Sequence, residues 1–180
     1  MKPSTAGWAL GVLLLVAGCA PHPAADVPFL VTPPDVVDRM LRLARVGPDD
    51  VVYDLGSGDG RLVIAAVRDF GARRAVGIEI DGALVARSRE YARRDGVGDR
   101  VTFLEQDLFQ SDLSGATVVT LYLTREVNLR LRPKLLAELA TGTRVVSFNF
   151  DMGDWEPTAM LRVDVNARTT PVYLWVVPGR

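Results

Sequence analysis

Three glycines in the stretch DLGSGDGR at 54–61 alternate with single residues. An apolar run at 51–53 precedes it, and a helix-like run with Leu62, Val63, Ala65, Ala66 and Val67 follows. A turn between a buried strand and a helix is where a parallel sheet opens a crevice for a ligand. Gly56, Gly58 and Gly60 let the backbone turn tightly and let a ligand approach without meeting a Cβ. The dinucleotide fingerprint needs its third glycine at position 61, where this chain carries Arg61, so the spacing disfavours a nicotinamide-dependent oxidoreductase. An acid, Asp54, precedes the loop, and two more acids close later apolar runs: Glu79 in GIEID at 77–81 and Asp107 in the pair QD at 106–107.

Composition narrows the chemistry. The 180 residues contain one Cys and one His, Cys19 and His22, which excludes a disulfide framework, a Cys/His metal cluster and any Ser-His-Asp or Cys-His machine. Lys and Arg number 21 against 22 Asp and Glu, and the formal net charge of −1 provides no global field for a nucleic-acid backbone. No nucleic-acid partner is expected from it.

The elements that must position these residues follow from periodicity. Asp35 is placed to cap an amphipathic helix with Val36, Val37, Met40, Leu41 and Ala44 on one face, ending at Gly47 and Pro48. Strands are expected at 51–53, 75–80, 101–104, 117–123 and 144–148, with helices at 62–67, 82–94 and 125–140. Pro133 should kink or divide the last helix, with Gly142 as its C-cap, and Asp81 reads as the cap of the helix at 82–94. The runs 160–165 and 172–177 have strand periodicity with no helix between them, which predicts an antiparallel pair. The expected fold is α/β, a doubly wound, mostly parallel seven-stranded sheet closed by a C-terminal antiparallel hairpin.

An acid before G-x-G-x-G, with an acid at the end of the next strand, resembles the class I S-adenosylmethionine-dependent methyltransferases, a Rossmann-like family. The resemblance implies S-adenosylmethionine as cofactor, bound by Asp54, Gly56, Gly58, Gly60, Glu79 and Asp107. Asp54 then faces the cationic methionine end, and the loop and helix N–H groups face its carboxylate. Glu79 takes both ribose hydroxyls, and Asp107 faces the adenine amine. VVYDLGSGDGR, GIEID, VVTLYLTREVN at 118–128 and GTRVVSFNF at 142–150 together resemble the small lysine methyltransferases that act on ATP synthase c-subunits and adenine nucleotide carriers. PFLVTPP at 28–34 resembles a lead-in motif of that group, with Val31 and Pro34 departing from it. The implied acceptor is an amine such as a protein lysine.

Methyl transfer gains chiefly from alignment and from a dry, shaped site, so it needs no triad. Tyr122 and Phe150, at or past strand ends, are the expected aromatic walls of an acceptor channel, with Tyr122 and Asn149 as the candidate catalytic residues. For Tyr122 a core role stands beside the site role. Asn149 and Asp151 can orient an amine or simply form a turn, Trp155 can form a lid or pack on the sheet edge, and Asn128 can pack or touch substrate. Arg125, Arg130, Arg132 and Lys134 read as a helix surface.

Lys2 and an apolar run at 8–17 precede LVAGC at 15–19, which resembles a bacterial lipoprotein signal. The domain organisation expected is a signal peptide at 1–18, a tether and lead-in segment at 19–34, and the methyltransferase domain at 35–180. Lipid on Cys19 would anchor the protein to the membrane of the cell envelope; a misassigned start codon would instead leave it cytoplasmic. An exported enzyme would need a methyl donor made in the cytoplasm, and that conflict keeps open a lipid-anchored, non-catalytic binding module with the same fold.

Overall fold

The computed structural model describes residues 30–179. The proposed signal, Cys19 and the first two residues of the lead-in motif lie outside them. The order is α1 (Pro34–Leu43), β1 (Val51–Leu55), α2 (Arg61–Arg68), β2 (Arg74–Glu79), α3 (Gly82–Arg94), β3 (Val101–Glu105), β4 (Val118–Leu121), α4 (Arg125–Glu138), β5 (Arg144–Phe148), β6 (Ala159–Val165) and β7 (Arg168–Val176). The strands form one sheet in the order β3-β2-β1-β4-β5-β7-β6, parallel from β3 to β5 and antiparallel through β7 and β6. This is the seven-stranded α/β architecture expected from the sequence.

β1 and β4 are short and almost wholly apolar because both of their faces are covered. On one face Val52, Val118, Val146 and Phe103 pack against α1, α2 and α3, whose buried residues include Met40, Leu41, Val63 and Val85. On the other, Leu55, Ile78, Leu121 and Val145 meet Leu131 and Leu135 of α4 and the buried Trp175. β3 and β4 are joined by a loop without a helix, so α4 is the only helix on that second face among the described residues. Asn166 and Ala167, both at positive φ, make the tight turn between β6 and β7. No helix among the described residues is long and apolar enough to cross a membrane.

Three local expectations are corrected. The first helix begins at Pro34 with Pro33 at its N-cap, and Asp35 lies in the first turn without capping it, because proline already supplies the helical φ at that position. Pro133 does not divide α4, which runs unbroken to Glu138. Pro133 is on the exposed face, where the carbonyl it leaves unpaired can reach water, while Leu131 and Leu135 hold the helix in the core. Gly142 is not the cap of α4: Leu139 is, in an extended conformation, and Gly142 at φ +85° serves the turn before β5. Asp81 caps α3 as expected, accepting from the N–H groups of Ala83 and Leu84.

Candidate active site

The sheet register arranges the three acids as a staircase. Asp54 is level with Gly77, so Glu79 stands two residues further along β2; Glu79 is level with Glu105, so Asp107 stands two residues beyond that. Steps of two residues keep Asp54 and Glu79 on one face, the face that carries α2 and α3, and Asp107 follows just beyond the end of β3. Each step is about 6.6 Å along the strands and about 4.8 Å across, so the acids follow a diagonal of about 16 Å over the carboxyl edge of the sheet. That is a track for an elongated ligand with several polar groups.

The loop between β1 and α2 runs beside this track. Gly56, Gly58 and Gly60 all have φ between +53° and +78°. A Cβ on Gly56 would stand 2.7 Å from the Leu123 side chain, and one on Gly60 would stand 2.5 Å from the Phe103 ring. Glycine is therefore required by both conformation and space at these two positions. Gly77 of β2 serves the loop from below, since a Cβ there would stand 2.6 Å from Ser57 Oγ.

Asp54 is buried at the head of the track, and Thr120 Oγ1 donates to its Oδ1 at 2.7 Å. Burial raises its pKa to about 7; the Thr120 hydrogen bond opposes that rise, and the nearby Glu79 and Asp59 charges add to it. Glu79 Oε2 accepts from the Gly58 N–H at 2.9 Å, and its Oε1 accepts from the N–H groups of Ile80 and Asp81. The second acid thus ties the glycine loop to the end of β2. Asp107 accepts from Phe109 N–H through Oδ1. The structure brings Asp54, the glycines, Glu79 and Asp107 to one edge.

Tyr122 lies against Phe148, ring centroids 4.7 Å apart, and with Asp54 it lines a small cavity of about 30 Å³. Leu30, Val31 and Thr32 close that cavity from the N-terminal side. Asn149 does not line it. It sits in an exposed left-handed turn, its N–H donating to Pro171 O. Asn128 is fully buried and its Nδ2 donates to Ser147 Oγ and the Phe150 carbonyl, which makes it a clamp on the 147–150 turn. Asp151 pairs with Arg125. Trp155 packs on Trp175, whose Nε1 donates to the Trp155 carbonyl, so it belongs to the sheet edge.

Three participants were not found in the sequence. Thr120 was hidden in an apolar strand, although a lone hydroxyl in VVTL was the available signal. Ser57 Oγ, buried without a hydrogen-bond partner beside the loop, had none. Arg61 forks onto Asp59 and reaches back to Thr32.

The ANTKMT methyltransferase domain profile matches residues 54–159. A protein-lysine N-methyltransferase of Saccharolobus islandicus is 43% identical over 151 residues, covering 84% of this chain and 94% of that protein. An adenine nucleotide translocase lysine N-methyltransferase of Mus musculus is 38% identical over 76% of this chain, and the match spans 58% of the mouse protein. The crystal structure of an RNA methyltransferase from Salinibacter ruber in complex with S-adenosyl-L-homocysteine superposes with a TM-score of 0.78 at 54% identity, covering 84% of this chain and 95% of that one. The residues present suit such a ligand: three carboxylates on one diagonal, a glycine cradle that a Cβ would fill, and a buried, unpartnered serine hydroxyl beside it. The chain belongs to the ANTKMT-type methyltransferase family and is an S-adenosylmethionine-dependent methyltransferase.

Proposed function

We propose that this methyltransferase acts on the side-chain nitrogen of a lysine in a protein, with Asp54, Glu79 and Asp107 as its cofactor contacts and Tyr122 at the acceptor side. The observation that carries the reading is the position of Tyr122, whose ring lines the same small cavity as Asp54 and is backed by Phe148. The name of the Saccharolobus relative, matched over nearly its whole length, supports the same acceptor.

S-adenosylmethionine supplies an electrophilic methyl group on a sulfonium. Asp54 accepts from the ammonium at one end of the track, Glu79 from ribose hydroxyls, and Asp107 from the adenine amine. The loop N–H groups of Gly56, Ser57, Gly58 and Gly60 are taken by the Ile78 carbonyl, Glu79 and the Ser57 carbonyl, so they hold the loop in shape and do not serve the cofactor's carboxylate. On the acceptor side, lysine Nζ must shed a proton to solvent before its lone pair can take the methyl group, the new C–N bond forming as the carbon–sulfur bond breaks and S-adenosylhomocysteine departs. The ring of Tyr122, backed by the buried Phe148 and not by the Phe150 expected beside it, favours the neutral amine by desolvation. Tyr122 therefore orients and dries the acceptor and needs no proton-transfer role of its own.

RNA is the second reading, favoured by the Salinibacter structure. Against it stand the net charge of −1 and the pairing of Arg42, Arg61, Arg68, Arg125, Arg132 and Arg144 with carboxylates, which leaves no cationic track formed by those side chains. The test is to incubate the protein and radiolabelled S-adenosylmethionine with a cell extract, then treat portions with protease or ribonuclease. Label released only by protease and recovered as methyl-lysine is expected. Label released by ribonuclease would replace lysine with RNA.

For the segment before the domain, the reading is lipid attachment at Cys19 after removal of residues 1–18, with the protein held at the cell envelope. LVAGC supports it, and Cys19 is the only thiol able to carry the lipid.

A further inference from the structure

We propose that Arg61 is a positioning residue that latches the strap formed by residues 30–32 to the glycine loop and so sets the rate at which cofactor enters and leaves. The inference rests on the cofactor reading above.

Arg61 makes three distinct attachments. Its Nε donates to Asp59 Oδ1 at 2.9 Å and its Nη2 to Asp59 Oδ2 at 2.5 Å, which fixes the plane of the guanidinium. Its Nη1 then points at the strap and donates to the Thr32 carbonyl at 2.9 Å. One side chain therefore joins the loop to the strap, and a lysine, with a single compact ammonium, has no fork with which to do both.

The position is an unfavourable one for a cation. Arg61 is the first residue of α2, where unpaired backbone N–H groups make the local potential positive, and the first turn contains no acid. Asp59, just outside the helix, offsets the charge. A helix start would be more stable with an acid or a small polar residue there, so the arginine is explained by what it holds.

What it holds is a strap with little other attachment among the described residues. Leu30 and Val31 are 58% and 49% exposed, so their side chains are poorly packed, and only Thr32 is buried. Pro33 and Pro34 follow at once and are stiff, and α1 beyond them is anchored by Val36, Val37, Met40 and Leu41. The strap can thus swing as a unit ahead of Pro33, and the Thr32 bond lies at the hinge. Leu30, Val31 and Thr32 cover the space beside Asp54 and Tyr122 from the N-terminal side, so the strap must move aside when the amino-acid end of the cofactor enters or leaves and can close again over it.

A latch that must open in both directions has a kinetic signature. Weakening it accelerates association and dissociation together and leaves affinity nearly unchanged, whereas loss of an ordinary contact raises dissociation alone. The experiment measures both rates for S-adenosylhomocysteine on the immobilised full chain by surface plasmon resonance, for the parent, Arg61→Lys and Arg61→Gln. Both variants are expected to raise both rates about tenfold, the equivalent of losing one hydrogen bond from a charged donor, with Kd within about threefold of the parent. Faster amide exchange at Val31 and Thr32 in Arg61→Lys should accompany the change. If Arg61→Gln fails to fold, Arg61→Lys, which keeps the charge, carries the test. Parental rates in a folded Arg61→Lys, or a rise in dissociation alone, would overturn the latch. A parent that binds no S-adenosylhomocysteine would instead overturn the cofactor reading beneath it.

Discussion

Thr120 Oγ1 donates a 2.7 Å hydrogen bond to Asp54 Oδ1 across two neighbouring parallel strands, and the two residues are exactly level in register. The carboxyl group at the head of the diagonal is therefore held in one orientation before any ligand arrives. Its protonation is set by opposing effects: burial raises the pKa to about 7, and the Thr120 hydrogen bond draws it down.

That balance predicts a pH dependence. The unfolded carboxyl titrates near pH 3.8 and the folded one near 7, so between those values the folded chain holds a proton that the unfolded chain has released. The contribution of Asp54 to stability is thus fully present below the lower value, is lost as pH rises through 7, and changes no further above that. Urea unfolding of the parent and Asp54→Asn at pH 5 and pH 8 should show the parent losing stability relative to the variant at the higher pH. Affinity for the cationic cofactor should rise through pH 7 in the parent only, and Thr120→Val should move that rise to higher pH.

Asn128 is predicted to be a structural clamp. Asn128→Ala leaves the Ser147 hydroxyl and the Phe150 carbonyl short of a donor and opens a buried gap, at a cost of about 2–3 kcal/mol. Chemical denaturation measures it. Transfer activity should fall only as far as the folded fraction does; a folded variant without activity would place Asn128 at the substrate.

Gly60→Ala should be damaging beyond its size. The residue lies at φ +78° and its new methyl would meet the Phe103 ring, so about 1–3 kcal/mol of stability should be lost. Gly47→Ala, with open space around it and no positive φ, is the control and should change the melting temperature little.

Cys19→Ser is expected to abolish incorporation of labelled fatty acid and release the protein from the membrane fraction. Parent protein found unlabelled and intact from Met1 in the cytosol would contradict the lipoprotein reading and remove the difficulty of supplying a methyl donor outside the cytoplasm.

The parts of this molecule that could be read in the sequence are those governed by local rules. Apolar runs and their periodicity marked all seven strands, and Gly56, Gly58 and Gly60 marked the crevice because positive φ and close approach leave few other residues possible. Local rules also misled where two of them competed: Pro33 and Pro34 began α1 in place of an Asp35 cap, and docking of Leu131 and Leu135 carried α4 past Pro133. Thr120 and Arg61 were missed for a different reason. Their partners lie 66 and 29 residues away, and which residues meet depends on strand register and on the path of the lead-in segment. Tyr122 was legible as an aromatic after β4, but its place beside Asp54 follows only from their shared sheet face.

The central claim is that one diagonal of carboxylates binds the cofactor and that Tyr122 serves the acceptor. Calorimetric titration of S-adenosylhomocysteine into the parent and into Asp54→Ala, Glu79→Ala, Asp107→Ala and Tyr122→Ala tests it most directly. Each acid variant should lose about 1–3 kcal/mol of binding free energy. Tyr122→Ala should stay within about 0.5 kcal/mol of the parent, while its methyl transfer falls. Parental affinity in all three acid variants would contradict the assignment of the site.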